Sequence, residues 1–223
     1  SYTFHYFYKS LFEFCSVDLS AFYFDIKKDT LYCDTKDSLK RRASKTVLNV
    51  LYDVLTSWLA PVLCFTMEEV WQVNKGKSDK ESVHLKNMPD IPHEWLNKEI
   101  LEKWTLIRNV RKVINSAIED ARKEKKIGSS LEANIKVLIR DEKLKSIIHS
   151  VEMSEICIVS KFEIIDKEPA VKNNQYIHKK DDNNLIILVR KSDNAKCMRC
   201  WKYLEEVGKN DNKELCNRCY QAI

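Results

Sequence analysis

DSLKRRASKTVLNVLYDVLTSWLA, residues 37–60, repeats its apolar side chains at the spacing of a helix. They occupy two adjoining strips, the first Val47, Val50, Val54 and Trp58 and the second Leu48, Leu51, Leu55 and Leu59. An apolar arc this wide is buried when several other helices surround it. The stretch therefore predicts the centre of a helical bundle.

Helical patterns on both sides of this stretch extend the predicted bundle over residues 1–128. Residues 61–73, PVLCFTMEEVWQV, predict a helix with Pro61 in its first turn, and Asn97 to Lys126 predict a third long helix. Near the start, residues at helical spacing are predicted to be core: Phe4, Phe7, Tyr8, Leu11, Phe12 and Cys15. Because this helix begins at once and residue 1 is not methionine, we expect the chain to be a piece of a longer protein.

After Gly128 the pattern changes to short β-rich runs. They are ANIKVLIR (133–140), EICIVSKFEII (155–165) and NNLIILVRK (183–191), with a short helix at 142–150 after the first. Residues 166–184 are predicted to be a loop. These runs indicate a small α/β subdomain over residues 129–193, which leaves residues 194–223, called the finger below.

The finger contains four of the eight cysteines, in CMRCWKYLEEVGKNDNKELCNRC (197–219). Two Cys-x-x-Cys pairs, Cys197 with Cys200 and Cys216 with Cys219, suit either two disulfides or one metal ion. No secretory signal precedes them, and the other four cysteines stand singly, which favours reduced thiols in the cytoplasm and a zinc ion. Four thiolates leave no open coordination position, so the zinc is predicted to be structural.

The predicted fold is therefore mainly α: a helical bundle, a small α/β subdomain and a four-cysteine zinc finger. Its composition excludes several kinds of function. Only three glycines are present and none lies in a P-loop or G-x-G-x-x-G context, while the five histidines are isolated and form no H-E-x-x-H motif. No apolar run reaches the ~20 residues of a membrane helix. The net charge of +5 permits a nucleic-acid partner without requiring one.

Two groups of residues are candidates for nucleic-acid contacts. Lys40, Arg41, Arg42 and Lys45 crowd the first turns of a helix, where cations are disfavoured by the helix dipole and a phosphate backbone would offset that cost. A merely solvated basic face is the alternative. In the finger, Trp201 either packs against the α/β subdomain or stacks on a base, with Arg199 and Arg218 reaching phosphate or base edges.

Several segments carry a resemblance to a known family. They are RRASKTVLNVLYDVLTSWLAPVLCFTMEEVW (41–71), SVHLKNMP (82–89), IRNVRKVINSAIEDARKEKKIGSSLEANI (107–135) and the finger itself. Together they resemble the anticodon-binding region of class I aminoacyl-tRNA synthetases, and IGSSLEA followed by a terminal finger is similar to the isoleucyl members. One departure is Cys64, where the family commonly has proline.

The resemblance implies the tRNA-reading portion of an ATP-dependent ligase, monomeric, cytoplasmic and without a membrane partner. Its ATP site and its editing site would lie in other domains of the same polypeptide, because the histidine-glycine-histidine and lysine-methionine-serine-lysine-serine signatures do not occur here. Two other readings stay open. One is a DNA-repair glycosylase, which ends in a similar finger but needs an N-terminal proline, where this chain has serine. The other is a protein-interaction adaptor stabilised by zinc, which would bind no nucleic acid.

Overall fold

The computed structural model describes residues 3–75, 82–167, 178–182 and 185–223, the third range as backbone only. Contacts divide the chain into two compact units, the first ending at Leu96 and the second beginning at Asn97. The predicted division into residues 1–128, 129–193 and 194–223 differs from this by placing the third long helix with the bundle. As a statement about which pieces fold on their own, that division stays a prediction.

Helices form the first unit. They are α1 (Phe4–Glu13), which continues through a π-helical stretch (Phe14–Phe24) into α2 (Asp25–Cys33), then α3 (Leu39–Leu59) and α4 (Cys64–Lys75), followed by 3₁₀ turns at Val83–Leu85 and His93–Trp95. The helix predicted from Pro61 begins at Cys64 instead. The N–H groups of Val62 and Leu63 both donate to the Leu59 carbonyl, so the chain makes a tight turn before α4.

A small apolar cluster joins α3, α4 and the first 3₁₀ turn. Ala60, Met67, Trp71 and Val83 are buried in it, and the Tyr52 ring stacks on Trp71 with 6.1 Å between centroids. The aromatic stripe of α1 behaves differently, because Leu11 is buried while Phe4 and Phe12 are 55% and 62% exposed. The prediction that the whole stripe is core is therefore wrong for its aromatic residues in this unit.

The second unit is a sheet with helix α5 (Lys98–Lys123) packed on it. The Asn97 side chain accepts a hydrogen bond from the Ile100 N–H and caps the start of α5, as the predicted boundary requires. One strip of α5 is buried, including Ile107, Ile114 and Ala121. The helix contacts β3 and β4 of the sheet, defined next, so it belongs with the α/β part of the molecule.

The sheet has strands β1 (Ala133–Ile139), β2 (Lys161–Ile165), β3 (His178–Asp182) and β4 (Leu185–Lys191) in the order β2-β1-β4-β3. Strand β1 is parallel to β2 and antiparallel to β4, with Val137 opposite Ile187. The prediction of β1 and β4 is confirmed. The strand predicted over 155–165 is confirmed only from Lys161, because its beginning is the short helix α7 (Met153–Ile156), which follows α6 (Glu142–His149).

Strand β3 lies in a segment that the sequence predicts to be a loop, and that prediction is wrong for residues 178–182. Their sequence, HKKDD, has no apolar alternation, so nothing local signals a strand. Pairing with β4, in which Leu185 to Val189 are all buried, supplies the backbone hydrogen bonds instead.

Candidate zinc centre and nucleic-acid interface

The four finger cysteines converge on one point. Their sulfur atoms all lie within 4.8 Å of one another, and the Sγ atoms of Cys200 and Cys216 are 3.8 Å apart. Sulfurs placed at about 2.3 Å from one ion in a tetrahedron are separated by about 3.8 Å. All four side chains are buried, with Cys197, Cys216 and Cys219 fully so. The donor set and its spacing fit a single tetrahedral ion such as zinc.

The local backbone shapes this cluster. The Trp201 N–H donates to the Cys197 carbonyl at 2.8 Å and closes the first turn, while the Cys216 N–H points at Cys197 Sγ at 3.3 Å. The second pair stands at the start of the short helix α8 (Asn217–Gln221). Gly208 has φ 86°, in the left-handed region, and so lets the chain turn between the two pairs.

Burial and backbone hydrogen bonds act on the thiols in opposite directions. Burial raises the pKa of Cys200 and Cys216 to about 11 and the pKa of Cys219 to about 12. Burial also raises the pKa of Cys197, but hydrogen bonds from the backbone N–H groups of Cys200, Cys216 and Arg199 outweigh it and lower the pKa to about 6. A cation that replaces the missing solvation would let all four thiols ionise together.

The other four cysteines do not form such a cluster. All eight lie in the described residues and none is in a disulfide. Cys157 is buried in the second unit, where burial raises its pKa to about 12, so it remains a neutral thiol. Cys64 is exposed at the start of α4. The geometry therefore separates a cluster of four cysteines from four that stand apart.

The finger is attached to the sheet by its backbone near Tyr203. Lys196 and Tyr203 form an isolated antiparallel bridge, and the Tyr203 N–H donates to Ser160 Oγ at 2.7 Å. Ser160, which stands directly before β2, was not among the predicted site residues. Forty-three positions separate the two partners, so no local pattern in the sequence signals their contact.

Trp201 is not what attaches the finger. Its side chain is 59% exposed, and the Lys196 ammonium lies 5.4 Å from its ring centroid. Trp201 also adopts φ 64°, in the left-handed region. Arg199 and Arg218 are partly exposed and each stands directly before a cysteine of the cluster. The contact of these three residues with RNA stays a prediction.

The basic group at the start of α3 is divided by its contacts. Lys40, Arg42 and Lys45 are exposed. Arg41 instead donates from Nη1 to the Asp34 carbonyl at 2.8 Å, and Ser38, the N-cap of α3, donates to the Asp34 carboxylate at 3.1 Å. Arg41 thus helps to hold the turn between α2 and α3, and its predicted contact with RNA would have to use another part of the guanidinium.

Glu68 also has a structural role. Among the residues that the structure describes, its neighbour Glu69 has no comparable contacts. The Glu68 carboxylate accepts hydrogen bonds from Gln72, from Ser82 Oγ at 2.7 Å and from the Val83 N–H at 2.9 Å. These hydrogen bonds lower the pKa of Glu68, and the bond from Gln72 has the largest effect. The Glu68 carboxylate of α4 therefore clamps the 3₁₀ turn at Val83–Leu85.

Comparison with known proteins gives one family match for the helical part of the chain and another for the finger. Residues 1–139 match the family described as the anticodon-binding domain of tRNA ligase. The chain belongs to that family. Residues 195–222 match a second family, described as the zinc finger found in FPG and IleRS. The four cysteines therefore lie in the part that matches the zinc-finger family, in a chain whose larger part is an anticodon-binding domain.

Individual relatives match most or all of this chain. The isoleucine–tRNA ligase of Agrobacterium fabrum is 44% identical over 201 residues, which is 90% of this chain and 20% of the relative. That of Ruegeria pomeroyi is 39% identical over 97% of this chain and 22% of the relative, and that of Brachyspira hyodysenteriae is 40% identical over 100% and 24%. The chain thus spans about a fifth of the length of these relatives. Within the described ranges, no helix is both long and apolar enough to cross a membrane.

Proposed function

We propose that this chain is the tRNA-binding part of an isoleucine–tRNA ligase and that it contacts the anticodon region of isoleucine tRNA. The match of residues 1–139 to an anticodon-binding family carries this proposal. The finger family includes both FPG and IleRS and does not separate them, so it is the match of the helical part to a tRNA-ligase domain that counts against a DNA-repair glycosylase. Joining of isoleucine to tRNA with ATP, and any editing, belong in this proposal to other domains of the polypeptide.

The finger would hold one zinc ion per chain, with Cys197, Cys200, Cys216 and Cys219 as ligands. Residues 196–223 carry six Lys or Arg and four Asp or Glu. With a divalent ion and four thiolates counted at a net charge of about −2, the loaded finger is close to neutral. General attraction to phosphate is therefore weak, and affinity of the finger for RNA would come from specific contacts.

Trp201 is the side chain that best supplies such a contact. The structural alternative, an anchor packed on the α/β part, is disfavoured by an exposed ring and by the attachment through Tyr203. A left-handed φ costs a non-glycine residue about 1–2 kcal/mol. A tryptophan kept exposed at this cost is typical of a residue retained for binding. Base stacking is worth about 1–3 kcal/mol per base.

The start of α3 would supply phosphate contacts. Lys40, Arg42 and Lys45 are exposed there and carry charge at a helix start, where an anion is stabilised. Because such contacts read the backbone and not the bases, they would add affinity without distinguishing one tRNA from another. In this proposal stacking by Trp201 adds affinity for an unpaired base of any kind, and discrimination between anticodons comes from contacts with base edges, for which Arg199 and Arg218 are the candidates.

A titration with isoleucine tRNA tests the proposal. The zinc-loaded chain should bind this tRNA more tightly than a version with a substituted anticodon, and binding should weaken with salt. Trp201→Ala should weaken binding about 5–150-fold, the equivalent of ~1–3 kcal/mol. Trp95→Ala, which removes a tryptophan that is 58% exposed elsewhere, is the matched control.

Equal affinity for both anticodons would reduce the function to backbone binding. If the chain shows no salt-dependent affinity for tRNA, that result would favour a protein-interaction adaptor. A matching assay addresses catalysis: the chain by itself should show no isoleucine-dependent pyrophosphate exchange, and measurable exchange would contradict the placement of the chemistry in other domains.

A further inference from the structure

Ser160 connects three segments of the second unit through one buried side chain. Its hydroxyl donates to the Leu131 carbonyl and accepts the Tyr203 N–H at 2.7 Å. Its own N–H donates to the Ala133 carbonyl at 3.2 Å. Ser160 is 7% exposed, so water competes little for these bonds. The finger, the turn before β1 and the start of β2 therefore meet at this residue.

We infer that Ser160 is a positioning residue for RNA binding, which fixes the orientation of the finger on the sheet and thereby the place of the Trp201 ring. This inference rests on the proposed function, because it concerns the use of Trp201. It assigns to Ser160 no contact with RNA. Its effect would pass through Tyr203, two positions beyond Trp201.

A hydroxyl suits this role because it donates one hydrogen and accepts with its lone pairs. The Leu131 carbonyl takes the hydrogen, which leaves a lone pair for the Tyr203 N–H. The backbone N–H of Tyr203 is thereby directed at one atom. An alanine at position 160 would keep the fold of the strand but leave both partners without their bond.

The backbone before Ser160 is itself held in an unusual form. Ile158 has φ 55°, which is rare for a β-branched residue. The neighbouring Val159 is fully buried, and Arg111 of α5 donates from Nε to the Ile156 carbonyl at 2.8 Å. These contacts retain the strained turn that places Ser160 under the finger.

The path from Ser160 to the ring is short. Tyr203 pairs with Lys196 in the isolated bridge, and the Lys196 ammonium is 5.4 Å from the Trp201 ring centroid. The Trp201 N–H is bonded to the Cys197 carbonyl. The ring thus projects from a loop whose two sides are both tied down, one by the zinc ligands and one by Ser160.

A double-mutant cycle in the zinc-loaded 223-residue chain, with isoleucine tRNA as the probe, tests the inference. Ser160→Ala should weaken binding about fivefold, the equivalent of ~1 kcal/mol, and retain one zinc per chain. In a Trp201→Ala background the same change should cost nothing further, because its effect passes through the ring. Ser150→Ala is the control, since that hydroxyl donates to the Ile147 carbonyl of its own helix end and has no other hydrogen bond among the residues that the structure describes.

Ser160→Thr and Ser160→Val form a second, nearly isosteric pair that differs in the hydroxyl. The threonine variant should bind severalfold more tightly than the valine variant, and this comparison decides the matter if the alanine variant loses zinc. The inference would be overturned if the threonine and valine variants bind tRNA with equal affinity. It would also be overturned if Ser160→Ala weakens tRNA binding by the same factor with and without the Trp201 side chain. If Trp201→Ala itself changes nothing, the base-stacking part of the proposed function fails instead.

Discussion

The finger and the start of α3 are both rich in cations, yet their side chains are used in opposite ways. In the finger, cysteine sulfurs and backbone groups make the structure, and Trp201 is left 59% exposed. At the start of α3, Arg41, which the sequence predicts to bind RNA, is itself part of the structure through its bond to the Asp34 carbonyl. A basic cluster in a sequence therefore does not reveal which of its members are available to a ligand.

The physical reason lies in what supplies the folding free energy. In a small metal-bound module the ion supplies most of it, so polar and aromatic side chains need not be buried. In a helical unit the turns between helices need polar caps, and a charged side chain next to a carbonyl is a strong one. This comparison yields four predictions.

The largest effect is expected for Cys216→Ser. Metal binding contributes about 10–16 kcal/mol in structural zinc sites, so losing one ligand should remove the zinc and unfold the finger. Elemental analysis and hydrogen exchange over residues 195–222 measure this, while helices α3 and α4 should keep their protection. The control Cys64→Ser alters an exposed cysteine outside the cluster and should keep one zinc. Full metal occupancy in Cys216→Ser would contradict the ligand set.

The next effect separates Arg41 from Arg42. Arg41→Ala should lower the free energy of unfolding by about 1.5–3 kcal/mol, because it removes a charge-assisted hydrogen bond. Arg42→Ala should change it by less than about 0.5 kcal/mol, as for an exposed position. In salt titrations with tRNA, however, Arg42→Ala should reduce the slope by about one. The reverse pattern in the two variants would show that the roles are exchanged.

A smaller effect, of opposite sign, is expected for Trp201→Gly. Glycine adopts a left-handed φ without strain, so the variant should gain about 1 kcal/mol of stability while losing the ring. Trp201→Ala keeps the strain and should show no such gain. Denaturant unfolding of the zinc-loaded chain measures both. A stability loss in both variants would indicate that the ring is an anchor after all.

The smallest effect is the pH dependence of the clamp at Glu68. Its pKa is lowered from 4.5 by hydrogen bonds, first that from Gln72, so its contribution is present above about pH 4.5 and is lost as the pH falls through the lowered pKa. Glu68→Gln should flatten this acid limb of the stability curve, by less than the Arg41 effect. Glu69→Gln is the matched control at an exposed neighbour. If the acid limb of the stability curve is the same in Glu68→Gln as in the unsubstituted chain, the acid sensitivity comes from other carboxylates.

Local patterns in the sequence are enough for those features whose partners are close along the chain. The cluster of four cysteines follows from two Cys-x-x-Cys turns, β1 follows from its alternation, and the start of α5 follows from the Asn97 cap. In each case the interaction that stabilises the feature lies within a few residues or within one strand face. Spacing then carries most of the physics.

The tertiary structure decides the features whose partners are remote. Strand β3 exists because β4 pairs with it, and the sequence HKKDD contains no sign of that. Helical spacing identified one face of α1, but which of Leu11 and Phe12 is covered depends on distant packing. Ser160 and Tyr203 meet across 43 positions. A side chain's availability is set by contacts that form only when such segments come together, and no short pattern encodes them.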